Sequence, residues 1–276
     1  MLSEQEIVHS ISTNTLLSPA EPLAFKKVQY KQNSPIILCC DHASNRIPNS
    51  LNNLGLNSEF LKEHIAWDIG AAELTLELAK QLECTAILNN YSRLVVDCNR
   101  YLSDGSAFAS SSDTLSIPGN MNLTELEKAA RAEAIYYAYH RAIRRELEAR
   151  TLDGNAPVLI SVHSFTKQLR GQAKRELDIG VLWDKDPRLP VPLLTQLNDI
   201  KDLKVGDNQP YSGKDMADYT VDHHAEAHGI AHVSLEIRND HLQNQDGIEV
   251  WANRLAKIFN DIFTDTHVFK QHYHNA

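Results

Sequence analysis

The sequence predicts a single α/β domain with a central mixed, mostly parallel sheet and helices on both faces. Short apolar runs rich in β-branched residues recur along the chain, and such runs are typical of strands buried on both faces. Segments with helical periodicity alternate with them, as in βαβ connections. We find no internal repeat and no linker in the 276 residues, a length sufficient for one large core.

Each element has its own local signal. Hydrophobic runs predict strands at 36–40, 85–88, 158–162, 178–183 and 231–238. Periodic stripes and caps predict helices at about 70–82, 125–150, 191–199, 218–228 and 249–263, with a shorter one from Ser58 to His64. Thr124 and Glu127 form a capping box at the start of the longest helix. We therefore expect an N-terminal arm with one short helix at 1–34, the domain proper at 35–263 and a frayed polar tail at 264–276.

Composition argues against several classes of partner. The formal net charge is -9, whereas nucleic-acid-binding proteins need basic patches to displace counterions. No run approaches the roughly 20 apolar residues of a membrane span, and the N-terminus has no signal-peptide pattern. The cysteines form no CxxC pair and lie in apolar settings, at Cys39, Cys40, Cys84 and Cys98. We expect reduced core cysteines in a cytoplasmic protein that binds neither nucleic acid nor membrane.

Two predicted strands end in a histidine. The run at 36–40 leads into Asp41 and His42, and the run at 158–162 leads into His163. Ligands of open α/β sheets bind at the carboxyl ends of the strands. Because neutral imidazole is the commonest zinc ligand, two histidines at one sheet edge suggest a metal site. The alternative is that each histidine only caps its strand end by hydrogen bonding.

A third metal ligand has three candidates. Asp68 leads, in the turn before the second predicted helix, although Asp is also a common helix cap. Asp41 could be a ligand itself or accept a hydrogen bond from a ligating histidine. Asn45 lies three residues after His42, but a neutral amide is a poor zinc ligand.

Glu236 is the candidate general base. It lies in the last predicted strand, and a carboxylate there can take a proton from a metal-activated water. Arg238 follows two residues later on the same strand face, so the alternative is a structural ion pair. Further arginines lie in or beside loops at strand ends, and guanidinium binds carboxylate in a bidentate manner; these are Arg46, Arg93, Arg100 and Arg170. Such residues would suit an acidic substrate.

Five short motifs in this order resemble the N-formylglutamate amidohydrolase family over about residues 35–262. They are Leu-Cys-Cys-Asp-His42-Ala-Ser-Asn-Arg-Ile-Pro48, Trp67-Asp68-Ile-Gly70, Tyr91-Ser92-Arg93-Leu-Val-Val-Asp97-Cys-Asn99-Arg100, His163-Ser164-Phe165 and Leu235-Glu236-Ile-Arg238. The resemblance implies a fold related to the zinc carboxypeptidases, with a metal at the sheet edge. Where family members carry a Pro-His-Ala-Gly type of stretch, this chain has Asp41-His42-Ala43-Ser44-Asn45, which indicates a divergent branch.

Carried over residue by residue, the resemblance implies metal ligands at His42, Asp68 and His163. It implies that Glu236 is the general base and acid, and that Arg93, Asn99 and Arg100 hold the substrate carboxylates or the oxyanion. We take Arg100 as catalytic beside Glu236, and we expect substrate contacts at Arg93, Asn99, Arg238, Asn45, Tyr211 and His223.

The function we expect is hydrolysis of the amide bond of an N-formyl or N-acyl acidic amino acid, such as N-formylglutamate, with one zinc ion. The substrate would be a small molecule carrying a carboxylate. His/His/Asp sites also accept iron, cobalt or manganese. One alternative is a metallopeptidase or deacylase, because the Ser-rich segment 101–123 and the basic segment 164–176 could frame a peptide or conjugate. Another is a non-catalytic binding protein that kept the fold.

Overall fold

A seven-stranded sheet forms the centre of the computed structural model, which describes residues 16–214 and 218–274. The strands are β1 (Phe25–Gln29), β2 (Ile36–Cys40), β3 (Thr85–Asn89), β6 (Val158–Phe165), β7 (Ile179–Leu182), β8 (Val205–Asp207) and β9 (His232–Arg238), and a separate hairpin consists of β4 (Ser111–Ser112) and β5 (Leu115–Ser116). The order across the sheet is β1-β3-β2-β6-β9-β7-β8. The four central strands β3, β2, β6 and β9 are parallel, whereas β1 and β7 pair antiparallel with their inner neighbours.

Helices cover both faces of this sheet. They are α1 (Ala71–Gln81), α2 (Glu125–Arg131), α3 (Tyr137–Glu148), α4 (Pro190–Asn198), α5 (Tyr219–His224) and α6 (Gln245–Ile262). Side chains alternate along each strand, so Leu38 faces the core beneath α1, α4 and α6, while Ile37 faces the core beneath α3 and α5. The α/β prediction, with a mixed and mostly parallel sheet, is therefore confirmed.

Two strands of the seven-stranded sheet escaped the sequence prediction, as did both strands of the small hairpin, which lie in the segment 101–123. β1 lies within the segment 1–34, for which one short helix was expected, and residues 1–15 lie outside the described part of the chain. It is an edge strand with two exposed lysines, so it has no continuous apolar run. β8 has only three residues and lies at the other edge, in a segment predicted as loop.

Several element boundaries also differ. The predicted helix 125–150 contains a π-helical turn, Ala132–Tyr136, between α2 and α3. The predicted helix 218–228 stops at His224 and continues as a short 3₁₀ turn, and the helix expected at 58–64 is a 3₁₀ turn at Phe60–Lys62. The tail is not frayed over its described residues, because Val268 is buried and the Phe269 carbonyl accepts a hydrogen bond from the Ala156 amide.

The cysteines are all buried and unpaired, as predicted for reduced core residues. Among the residues that the structure describes, no helix is both long and apolar enough to cross a membrane.

Candidate active site

Three buried side chains converge at the carboxyl edge of the central strands. His42 follows β2, Asp68 precedes α1, and His163 lies in β6. The Nδ1 atom of His42 is 3.2 Å from Oδ2 of Asp68, and the Nδ1 atom of His163 is 3.0 Å from the same oxygen. The three potential ligand atoms lie within 4.8 Å of one another. Two imidazole nitrogens and a carboxylate oxygen so close together can hold a metal ion.

The geometry separates the three candidates for the third ligand. Asp68 joins the two histidines, whereas Asp41 lies on the far side of the His163 ring. Asn45 donates its amide to the carbonyl of Leu61 at 2.8 Å and does not line the site. From the sequence, His163 is expected just after the strand 158–162. In the structure His163 lies within β6, because the ladder between β6 and β9 continues through the pairs His163–Glu236 and Phe165–Arg238.

Each histidine has a carboxylate behind it. Nε2 of His42 is 2.7 Å from Oδ1 of Asp97. Nε2 of His163 is 3.2 Å from Oδ2 of Asp41 and 2.9 Å from Oγ of Ser161. Carboxylates in this position fix the orientation and tautomer of a metal-binding imidazole. Both rings therefore present Nδ1 to the common centre.

Further contacts hold these carboxylates. Arg93 Nη2 donates to Asp97 at 2.9 Å, and its Nη1 donates to Asp68 at 3.4 Å. Thr220 Oγ1 donates to Asp41 at 2.7 Å. Burial favours the neutral form of Asp41, but the hydrogen bond and the charge of His163 outweigh it and lower the pKa of Asp41 to about 2. The pKa of Asp68 is also low, because the two histidines outweigh its burial. Both groups are thus carboxylates at neutral pH.

Glu236 lies beside this centre, on β9 opposite His163. Its Oε2 atom is buried and has no hydrogen-bond partner among the described residues. Burial, helped by the charge of Asp68 and opposed by His163, His42 and Arg93, raises the pKa of Glu236 to about 7. A carboxyl group with a pKa near the working pH is suited to both accepting and donating a proton.

A cavity of about 270 Å³ opens onto these groups. Besides His42, Asp68, His163 and Glu236, its wall includes the predicted residues Arg93, Asn99, Arg100 and Tyr211. Asn99 is held in place, since its amide donates to Asp218 at 2.9 Å and accepts from the Thr220 backbone at 2.9 Å. The cavity is therefore lined by guanidinium, amide and carboxyl groups.

Two further residues predicted to contact substrate lie outside the cavity wall, as Asn45 does. Arg238 is bound by Asp178 at 3.1 Å and Asp240 at 2.7 Å, and these aspartates rather than Glu236 are its ion-pair partners. The His223 ring stacks on Tyr219, with 4.7 Å between the ring centroids. Asn45, Arg238 and His223 thus do not line this cavity, and their contact with substrate stays a prediction.

Sequence reasoning assigned no role to Asp97, His64 or Asp218. Asp97 follows the apolar run 94–96 much as Asp41 follows β2, and that parallel is a signal that could have found it. His64 and Asp218 line the cavity from loops with no comparable pattern.

Comparison with known proteins agrees with this geometry. The model of the family described as N-formylglutamate amidohydrolase matches residues 34–242. The chain belongs to the N-formylglutamate amidohydrolase family. The resemblance found in the sequence motifs is thereby confirmed, and the family is one of hydrolases acting on amides.

Two solved structures are similar to the chain. The gene product Atu2144 of Agrobacterium tumefaciens is 32% identical, with a TM-score of 0.86 over 91% of this chain and 99% of that one. An N-formylglutamate amidohydrolase from Ralstonia eutropha JMP134 is 17% identical, with a TM-score of 0.67 over 90% of this chain and 98% of that one, and it supports the fold. No curated protein matches the chain significantly.

Proposed function

We propose that the chain is a metal-dependent hydrolase that cleaves the amide bond of an N-formyl or N-acyl acidic amino acid, such as N-formylglutamate. One observation carries this proposal: the donor atoms of His42, Asp68 and His163 converge beside an unpartnered Glu236 carboxyl in an arginine-lined cavity. Family membership supports the reaction class. The four unpaired thiols support a reducing compartment, so we place the enzyme in the cytoplasm.

The donor set fits a divalent metal ion. Two imidazole nitrogens and one carboxylate oxygen match catalytic zinc sites, which take three protein ligands and keep a position open. Asp97 and Asp41 supply the acceptors that ligating histidines need on their other nitrogens. When bound, zinc or a similar ion would supply Lewis-acid chemistry and lower the pKa of a water to about 7.

Glu236 moves the proton in this proposal. Its unpartnered Oε2 accepts the proton of the attacking water, and the same carboxyl then delivers that proton to the nitrogen of the leaving amine. A pKa of about 7 suits both halves of the transfer. Hydrolysis thus needs no second acid.

The arginines bind the negative charges of the substrate. Arg93 is held rigidly by Asp97 and Asp68, so its guanidinium is preorganised on the cavity wall. We assign the substrate carboxylate to Arg93, with Asn99 and Tyr211 beside it, and the developing oxyanion to Arg100.

Metal content tests the site. We would measure metal by mass spectrometry in the wild type, in a His42→Ala/His163→Ala double variant and in a His228→Ala/His267→Ala control, whose two histidines are exposed. We expect about one ion per chain in the wild type and the control, and its loss from the site variant. No ion in the wild type after zinc is supplied would overturn the metal site and favour the non-catalytic alternative.

Substrate is tested separately on the metal-loaded protein. Release of amine from N-formyl-L-glutamate and N-acetyl-L-glutamate is followed beside the same compounds of L-leucine. We expect hydrolysis of the acidic compounds to be faster by about tenfold or more, because the leucine compounds keep the α-carboxylate but offer no side-chain carboxylate to the arginines of the cavity. Equal rates for the leucine compounds, which keep the α-carboxylate, would refute selection of an acidic side chain by this cavity.

A further inference from the structure

A second cavity of about 430 Å³ adjoins the catalytic one. The two cavities share wall residues His64, Arg93, Arg100 and Tyr211. A molecule bound at Glu236 therefore reaches the second cavity by passing these four side chains. The catalytic cavity of about 270 Å³ lies just below the roughly 300–1,000 Å³ typical of small-molecule sites, and the second one brings the total well into that range.

The second cavity has walls that are tied together. One wall comes from residues 106–114, which include β4, and the other from residues 169–172. Arg170 fastens the two, because its backbone amide donates to Asp113 Oδ1 at 2.9 Å and its guanidinium donates to the Asp113 carbonyl at 3.1 Å. The same guanidinium also binds Glu63. The two segments that the sequence analysis singled out as a frame for a larger substrate thus meet here.

The lining of this cavity combines polar and apolar side chains without a strong charge of one sign. Hydroxyl and amide groups come from Ser106, Ser111, Ser112, Thr114 and Gln172. The charges of Arg93 and Arg170 are met by Asp97 and Asp113. Such a surface offers hydrogen bonds to uncharged polar groups, as a peptide backbone presents them.

His64 marks the passage between the cavities. Its Nε2 atom is buried and has no hydrogen-bond partner among the described residues, since the nearest carboxylate oxygen, on Asp113, is 3.6 Å away. A buried polar atom without a partner is costly, and a polar group of a ligand that passes this point would satisfy it.

We propose that the second cavity is a substrate subsite and that the preferred substrate is an N-acylated acidic amino acid extended by at least one further residue, as in a short peptide. This inference rests on the proposed function and names its substrate class. The extension lies between residues 106–114 and 169–172, with a polar backbone group at His64.

The test compares substrates of two lengths. N-formyl-L-glutamate is measured beside N-formyl-L-glutamylglycine, which extends the amine side, and N-acetylglycyl-L-glutamate, which extends the acyl side. We expect the metal-loaded wild type to favour at least one extended compound in kcat/KM by about tenfold. In Ser111→Trp and Gln172→Trp, which fill the second cavity alone, the ratio of extended to short substrate should fall by a similar factor. Ser103→Trp, at an exposed position outside both cavities, should keep the wild-type ratio.

The outcomes separate this inference from the function it rests on. Preference for N-formyl-L-glutamate, or an unchanged ratio in both filling variants, would overturn the subsite and leave the hydrolase. If the wild type hydrolyses none of the three compounds, the proposed function fails, and calorimetry with the metal-loaded wild type then decides the subsite. Binding of an extended compound about tenfold tighter than N-formyl-L-glutamate would support it, and equal or weaker binding would refute it.

Discussion

Glu236 is a residue at which catalysis and stability make opposite demands, so Glu236→Gln is our first prediction. Glutamine keeps the size of the side chain and removes the group that accepts the proton. If Glu236 is the general base, kcat of the metal-loaded enzyme should fall by about 10²–10⁴. Misfolding would also lower kcat. The prediction therefore needs a second quantity that misfolding would lower but that loss of the base should raise.

The stability of the metal-free protein supplies that measurement. Burial raises the pKa of Glu236 from 4.5 to about 7, so the folded state holds this proton more tightly than the unfolded chain does. The stability that this bound proton gives the folded state is fully present below pH 4.5 and is lost as the pH rises through 7. At about 1.4 kcal/mol per pKa unit, the ionised form costs the fold about 3 kcal/mol above pH 7. Glutamine, which does not ionise, should therefore stabilise the metal-free fold by about that amount at pH 8 and by almost nothing at pH 4.5.

Urea unfolding at both pH values, after removal of metal with a chelator, measures the difference. A variant that loses activity and gains stability at pH 8 has lost a base, whereas a variant that loses both has lost a structural contact. An unchanged kcat would remove Glu236 from the mechanism. Equal stabilities at pH 8 would show that the carboxyl is not held in the environment that the structure describes.

Three other substitutions have defined outcomes. Asp97→Asn should weaken metal binding by about 10- to 100-fold in a chelator competition, because the His42 ring loses its anionic partner; an unchanged affinity would contradict this role. Burial lowers the pKa of His140 to about 4 and that of His224 to about 2, so unfolding takes up protons below about pH 6.5. The free energy of unfolding of the wild type should therefore fall by about 1.4 kcal/mol per histidine for each pH unit between pH 6.5 and pH 4. Urea unfolding of the double glutamine variant should show a flatter acid limb, and an identical slope would count against buried neutral histidines. Gly180→Ala would place a β carbon against the Gln209 carbonyl and should cost about 1–3 kcal/mol in thermal unfolding, whereas Gly105→Ala, with open space around it, should cost little; equal losses would argue against that close approach.

The central strands were predictable because burial on both faces leaves a simple signal. β2 matches its predicted bounds, and β3 and β9 differ from theirs by one residue. The edges carry no such signal, since β1 exposes Lys26 and Lys27 and β8 is too short for a pattern. The end of β6 was misplaced because His163 and Ser164 are polar, although their backbones continue the ladder with β9.

The parts of the site that are carried by the central strands could also be predicted from the sequence. His42 and His163 are found from the strands that carry them, and the structure brings Asp68 to them by the loop before α1. Arg238 shares a strand face with Glu236, yet its guanidinium is bound by Asp178, which precedes the neighbouring strand β7, and by Asp240, two residues further along the chain. Sequence spacing gives direction along a strand, but it does not give the partner that a neighbouring element supplies.

Charge balance explains why so many acids gather at one buried point. Asp41, Asp68 and Asp97 are buried carboxylates there, and the partly exposed cation Arg93 is in direct contact with two of them. Without a metal, the neighbouring carboxylates outweigh burial and raise the pKa of His42 and His163, so protonated imidazoles share the positive charge. A histidine that ligates a metal is neutral, so metal binding would release these protons and remove their charge. Buried charges have to be paired or coordinate a metal, because an isolated ion in a protein interior is strongly destabilising. With both histidines neutral, three negative charges against one positive charge leave an excess of two, which is the charge that a divalent ion between His42, Asp68 and His163 would cancel. The carboxylates of this cluster therefore suit a bound divalent ion, whose charge would replace that of the protons that the histidines hold without it.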